Sequence, residues 1–398
     1  MPSLPRKPPI AILVAVSAVG PLALNIFMPS MPGLPAIFDT DYATVQLTLS
    51  LFLIGLAVAQ LAYGPLSDRF GRRPPLLVGM LLFILGSAVG LLATSIATVI
   101  VGRIIQAIGG CAGLVLARAI VRDLYDRNRS ASVIAYITMA MVVVPMLAPL
   151  IGGFLDDWFG WRSNFWFVGG FAAVVTAFAL LLLHESNHRR TSLPGIGGMI
   201  VSYRRLLRSP VFRGYAFMTT FSSAGFFAFL GGAPYVMIEL MGRSPSEYGL
   251  YFIMSAVGYM AGNFMSGRGS VRLGIDRMIG MGVGFSLLGG LTMLALALVG
   301  FMTPMALFGP MVLYAIGNGL TIPNGIAGAI SVHPRIAGAA SGLAGFLQMA
   351  IGAGASALVG HLVAESQLPL AVMIFSAALC AMFAHLFTLL ANRRTALA

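Results

Sequence analysis

The chain has 398 residues, 58% of them hydrophobic and 9% charged, with a mean hydropathy of +0.92. About a quarter of the residues in a soluble domain are charged, so this is not an ordinary water-soluble protein. The formal charge of +12 does not indicate nucleic acid, because the basic residues lie in short clusters between apolar runs, the pattern of loops beside membrane helices.

Met1 to Pro9 is basic and Pro-rich, and Ile10 to Met28 follows without a charge. A signal peptide has the same start, but this run is long and similar runs recur down the whole chain. Further spans are expected at 44–64, 74–93, 97–118, 131–154, 163–183, 212–236, 247–267, 278–300, 304–331, 337–361 and 369–391. Each is near the ~20 residues that cross ~30 Å of hydrocarbon. In lipid the backbone must satisfy its own hydrogen bonds, so the spans are helices. The alternation of a membrane barrel is absent. The expectation is an all-α membrane protein with twelve transmembrane helices. Cys111 and Cys380 each lie inside an apolar run and offer neither a disulfide framework nor metal spacing. No metal, cofactor or nucleic acid is expected, and no Gly-rich nucleotide loop is present.

Basic residues set the orientation. Counting alternate connections from a cytoplasmic N-terminus places 21 of the 24 Lys and Arg inside. Arg162 and Arg243 fall outside, and Arg103 falls within a span. This bias predicts two cytoplasmic termini. The longest polar connection runs from His184 to Arg213. It divides the chain into 1–183, a six-helix half, 184–211, a cytoplasmic connecting loop, and 212–398, a second six-helix half. Ser67-Asp68-Arg69-Phe70-Gly71-Arg72 follows span two, and Ser270-Val271-Arg272-Leu273-Gly274-Ile275 follows span eight. Ser, Arg and Gly recur at the same offsets and at equivalent places in the two halves, as a duplicated unit requires.

Gly64-Pro65-Leu66-Ser67-Asp68-Arg69-Phe70-Gly71-Arg72-Arg73 resembles the loop between the second and third helices of the major facilitator superfamily. Gly64 and Gly71 are expected to allow close backbone approach and left-handed conformations. Asp68 can accept charge-assisted bonds from an arginine or a helix N-terminus. Arg69 belongs to the same motif, and Arg72 and Arg73 sit on the side of anionic cytoplasmic lipid. The resemblance implies a latch that holds the outward-facing state. Arg103-Ile104-Ile105-Gln106-Ala107-Ile108-Gly109 is similar to that family's fourth-helix arginine motif. Pro145-Met146-Leu147-Ala148-Pro149-Leu150-Ile151-Gly152-Gly153 looks like the antiporter motif of drug exporters, with Ala148 where many members have Gly. Pro and Gly there kink or thin the helix. Asn25-Ile26-Phe27-Met28-Pro29, Leu116-Ala117-Arg118-Ala119-Ile120-Val121-Arg122-Asp123 and Phe159-Gly160-Trp161-Arg162 resemble the Bcr/CflA drug-resistance branch. The resemblance implies the major facilitator fold and a monomeric secondary exporter of the bacterial inner membrane. Alternating access on a small-molecule substrate, with the proton as coupling ion, is part of that expectation.

Arg103 is read as the ionisable residue set well inside a span, which needs a polar partner or a wet cavity. Gln106 shares its face, and Asn25 lies at a similar depth, so the three are expected to form one cavity cluster. The exporters that this chain resembles commonly have Asp at the position of Asn25, and an amide takes up no proton. All twelve carboxylates fall at predicted ends or loops, with Glu239 the deepest. Further cavity candidates are Met139, Met141, Met146, Tyr215, Phe221, Phe226, Tyr235, Tyr259, Asn263, Asn318, Asn324, Gln348 and Met349. Gly86/Gly90, Gly109/Gly113, Gly258/Gly262 and Gly338/Gly342 are expected to pack helices. A metabolite exporter that does not use a helix-one acid is the alternative within transport. A membrane enzyme needs a reactive cluster at one depth, and none is found.

Overall fold

A computed structural model of the protein describes residues 8–124, 127–187, 196–333, 336–363 and 366–397; at 122, 127–136, 138–142, 196–200, 337–338 and 393–397 it describes the backbone alone. Of the cavity candidates, the Met139 and Met141 side chains therefore lie outside the described set, as do the carboxylates of Asp126 and Glu365. Among the described residues there is no strand.

The chain forms two compact units, Met1–Pro194 and Gly195–Ala398. The first holds α1 (Ile10–Ile26), the short α2 (Leu34–Phe38), α3 (Tyr42–Phe70), α4 (Arg73–Leu91), α5 (Ile96–Leu124), α6 (Arg127–Phe159) and α7 (Arg162–Leu182). The second holds α8 (Ile196–Arg208), α9 (Pro210–Tyr235), α10 (Pro245–Leu273), α11 (Ile275–Leu298), α12 (Pro304–Ser331), α13 (Ala337–Leu362) and α14 (Leu368–Leu397). Among the described residues, ten of these segments are long and apolar enough to cross a membrane. The other two long helices are α6 and α10. Several helices continue past the apolar run that announced them: α5 to Leu124 and α10 to Leu273. Their charged ends carry on beyond the hydrocarbon. The connection expected at 184–211 contains α8, a 13-residue helix.

Sequence-local signals start the helices. Asp41 caps α3 by accepting from Thr44 N–H at 2.6 Å. Ser244 and Glu247 form a reciprocal capping box on α10, with Pro245 at the first helical position. Thr303 accepts from Ala306 N–H ahead of Pro304 in α12. Each cap satisfies a donor that the first turn leaves open.

Packing in the two units follows one pattern. In the first, the main pairs are α4 with α5 and α7, α3 with α5, and α1 with α5, α6 and α7. In the second they are α11 with α12 and α14, α10 with α12, and α9 with α12, α13 and α14. Every main pair has its counterpart six spans later. Small residues allow the closest crossings. A side chain at Gly86 or Gly102 would meet the backbone of the facing helix, and so would one at Gly282 or Gly317. Gly258 and Gly262 press against α12, and Gly113 presses against the Val16 carbonyl. Gly342 departs from the expectation: it faces open space and packs no helix.

The candidate transport sites

The loop between α3 and α4 is a network built on Arg72. Its Nε donates to Asp123 Oδ2 at 2.8 Å, and its Nη1 donates to Asp68 Oδ1 and Ser67 Oγ, both at 2.6 Å. Burial works against the Arg72 charge, and the bonds to Asp123 and Asp68 outweigh it, so its pKa lies above the ordinary arginine value. Gly71 ends α3 at φ 95°, a conformation for which glycine is the default. A side chain there would also strike the Glu185 carboxylate. Glu185 accepts from Arg72 N–H at 2.7 Å and Arg73 N–H at 3.1 Å. It thus places negative charge on the N-terminus of α4, where the helix dipole favours it. Asp68 therefore takes the arginine of its two expected partners, while the helix N-terminus belongs to Glu185.

The rest of the loop divides its contacts. Arg73 Nη2 donates to the Leu180 carbonyl at 2.8 Å. Arg69 lies over the Phe70 ring at 5.2 Å. Gly64 differs from expectation: nothing approaches the place of its missing side chain. Its carbonyl accepts from Ser67 Oγ at 2.8 Å. The equivalent turn of the second unit keeps the backbone and Arg272 but has Val271 and Ile275 at the places of Asp68 and Arg72. Gly274 has φ 81°, and its N–H donates to Ser270 O at 3.0 Å, as Gly71 N–H donates to Ser67 O at 3.1 Å.

The second site surrounds Arg103, which is 2% exposed. Nη1 donates to the Ala23 carbonyl at 2.7 Å and to Gln106 Oε1 at 3.1 Å. The guanidinium lies over the Phe52 ring at 4.2 Å and the Phe27 ring at 5.1 Å. Ala23 lies in the last turn of α1, where carbonyls lack an intrahelical donor. Gln106 is held in turn by Nε2–H donation to Ser87 Oγ at 2.8 Å. The charge is thus met by a carbonyl, an amide and two aromatic faces, and its Nε has no partner among the described residues. Asn25 is buried, and its Nδ2 donates to the Pro21 carbonyl of its own helix at 2.8 Å. Ala23 and Phe27 form the side of α1 that meets Arg103. Asn25 lies about 200° round from Ala23 at 100° per residue.

The Pro- and Gly-rich segment of α6 lies beside this site. Pro145 is half-buried, while Ala148, Pro149, Gly152 and Gly153 are buried. Gly152 packs under the Ile26 carbonyl at the end of α1, leaving no room for a side chain. Glu239, by contrast, is exposed in the single π turn Val236–Leu240 that ends α9. In the second unit, Ser222 donates to Asn318 Oδ1 at 2.5 Å and Tyr314 OH to the Ser222 carbonyl at 3.0 Å. Ser223 donates to Gln348 Oε1 at 3.3 Å. Tyr215 OH donates to Asp276 Oδ1 at 2.7 Å instead.

Sequence reasoning missed two groups. Glu185 was only one of the carboxylates at a span end, and its partners are more than a hundred positions away. His385 was missed inside α14, so Arg103 is not alone as an ionisable residue within a span. It is 7% exposed, beside Gly280, with Nδ1 unpartnered among the described residues. A lone histidine in the apolar run 369–391 was the available signal. No cluster of His, Cys, Asp and Glu able to hold a metal occurs among the described residues.

Two units of six long helices each with one packing scheme, a charged turn after the second long helix and a buried arginine in the fourth define a secondary transporter of duplicated design. The profile of the Major Facilitator Superfamily matches residues 13–357, and the chain belongs to that superfamily. It is 28% identical to the bicyclomycin resistance protein homolog of Haemophilus influenzae, covering 93% of this chain and 92% of the relative. It is 32% identical to multidrug resistance protein D of Escherichia coli, covering 89% of each. These similarities place it with the Bcr/CflA-type transporters. Its fold resembles the crystal structure of a bacterial homolog of the human lysosomal transporter Spinster, with TM-score 0.74, 16% identity and 96% of each chain covered. The protein is a multi-pass transporter of the bacterial inner membrane that carries small molecules.

Proposed function

We propose that the protein is a monomeric, proton-driven exporter of small amphipathic molecules, antibiotics among them. It works by alternating access, with both termini in the cytoplasm. Similarity to drug-resistance transporters along nearly the whole chain is the observation that carries this reading. The intact Arg72 network, with Asp68 and Asp123 on one guanidinium, supports a conformational role for that loop. The basic residues of the alternate connections support the orientation.

A second reading has its own observation. Arg103 is met by neutral groups only, and Asn25 stands where a titratable acid is common in the exporters that this chain resembles. An exporter of an anionic metabolite, attracted by that charge, fits those neighbours. One experiment separates the two. The protein is expressed in an efflux-deficient host, and accumulation of a panel of cationic, neutral and anionic compounds is measured with and without a protonophore. Lower accumulation of several amphipathic drugs, reversed by the protonophore, supports the first reading. Efflux confined to anionic compounds supports the second.

A further inference from the structure

Helices α9 and α14 leave a groove of about 470 Å³ on the second unit. Its walls are Phe217 and Phe221 from α9, and Cys380, Phe383 and Phe387 from α14. Phe217, Phe221 and Arg213 follow one another at four-residue spacing, so they share a face of α9 and span about 12 Å along it. The two phenyl rings stack with centroids 6.2 Å apart. Phe383 is 60% exposed and Phe387 is 44% exposed. A soluble protein rarely leaves such a surface open, whereas α9 and α14 are both long and apolar enough to cross a membrane. Arg213, exposed in the first turn of α9, stands at one end of the groove. It takes part in none of the ion pairs among the described residues. Arg208, also exposed, ends the preceding helix.

The geometry points to a binding site for one anionic glycerophospholipid, with an acyl chain along Phe217, Phe221 and Phe383 and the headgroup phosphate at Arg213. The apolar wall alone accepts the chain of any lipid. Arg213 makes the difference, because an arginine pairs with a phosphate by its planar fork. A phosphatidylcholine phosphate already carries its own cation, whereas a phosphatidylglycerol phosphate does not. The occupant is therefore distinguished by net headgroup charge.

Native mass spectrometry of the full chain in detergent, titrated with dioleoyl phosphatidylglycerol or dioleoyl phosphatidylcholine, tests the site. Phosphatidylglycerol is expected to be retained as one tight equivalent where phosphatidylcholine is not. Arg213→Gln weakens that equivalent by about fivefold, the effect of one basic residue at a lipid surface. Cys380→Trp places an indole in the groove from an exposed position and displaces the lipid without touching the charge. The native Cys380 gives a second readout: Cys111 is buried and Cys380 exposed, so maleimide labelling reports the groove. Phosphatidylglycerol slows labelling of the wild type, and slows it less in Arg213→Gln. Equal retention of the two lipids overturns the proposal, as does unchanged phosphatidylglycerol binding by both variants. Should Cys380→Trp not fold, the Arg213→Gln titration and the labelling rates decide alone.

Discussion

Arg103 is the residue on which the first unit places its buried charge. Two hydrogen bonds, both from Nη1, and two ring faces hold it, and the ring contacts use the flat face of the guanidinium. Arg103→Ala leaves the Ala23 carbonyl and the Gln106 amide without that donor. Hydrogen bonds to a charged group contribute about 1.5–3 kcal/mol, so transport is expected to fall roughly tenfold or more at equal protein level. Arg103→Lys keeps the charge, loses the stacking plane, and should recover only a small part of the rate. Asn25→Asp removes the donor that Asn25 gives to Pro21 and adds a titratable group at the depth of the arginine, on the other side of α1. The pH profile of transport by that variant should differ from that of the wild type, read from efflux rates across a pH series. Unchanged rates in all three variants contradict a transport role for this cluster. The depth of Arg103 and its kinship with Gln106 were legible from spacing alone. Its partners on α1 were not, because depth along a helix says nothing about rotation around it. The Ala23 carbonyl also carries no side-chain signal.

Elements show the same division. The apolar runs announced every long helix, since a span must be both apolar and helical in lipid. α8 was hidden, because thirteen residues with four-fold spacing of Tyr203, Leu207 and the arginines do not form an apolar run. The turn after α3 was readable as a motif, and its matching turn after α10 as a repeat. The clamp on the α4 N-terminus was not readable, because Glu185 reaches it from beyond α7. The pair of turns makes a controlled comparison. Gly71 and Gly274 both have positive φ, so alanine strains either one by a similar amount. Only Gly71 has a neighbour in the way, the Glu185 carboxylate, while Gly274 faces open space. Gly71→Ala should therefore lower the unfolding midpoint in detergent more than Gly274→Ala does. Glu185→Ala uncaps two N–H groups and should cost about 1 kcal/mol, as loss of a helix cap does, with Glu185→Gln in between. Equal midpoints for the two glycine variants contradict the clamp.

At the scale of the molecule, one packing scheme appears twice, which a six-span duplication explains. The repeat was legible in a single short match, but the contact pattern that establishes it has no sequence signature of its own, because lipid-facing and packed helices are equally apolar. Orientation is tested by reporter fusions: those after Leu183 and Ala398 should report cytoplasm, and one after Phe38 the outside. An inverted result contradicts the twelve-helix topology. The central claim, proton-driven export, is tested most directly in everted membrane vesicles holding the overexpressed protein, with an imposed pH gradient and a fluorescent amphipathic drug outside. The account predicts drug uptake into the vesicles that starts with the gradient, stops when a protonophore collapses it, and is reduced in Arg103→Ala. Uptake that is the same with and without the gradient, or absent for every amphipathic compound tried, contradicts it.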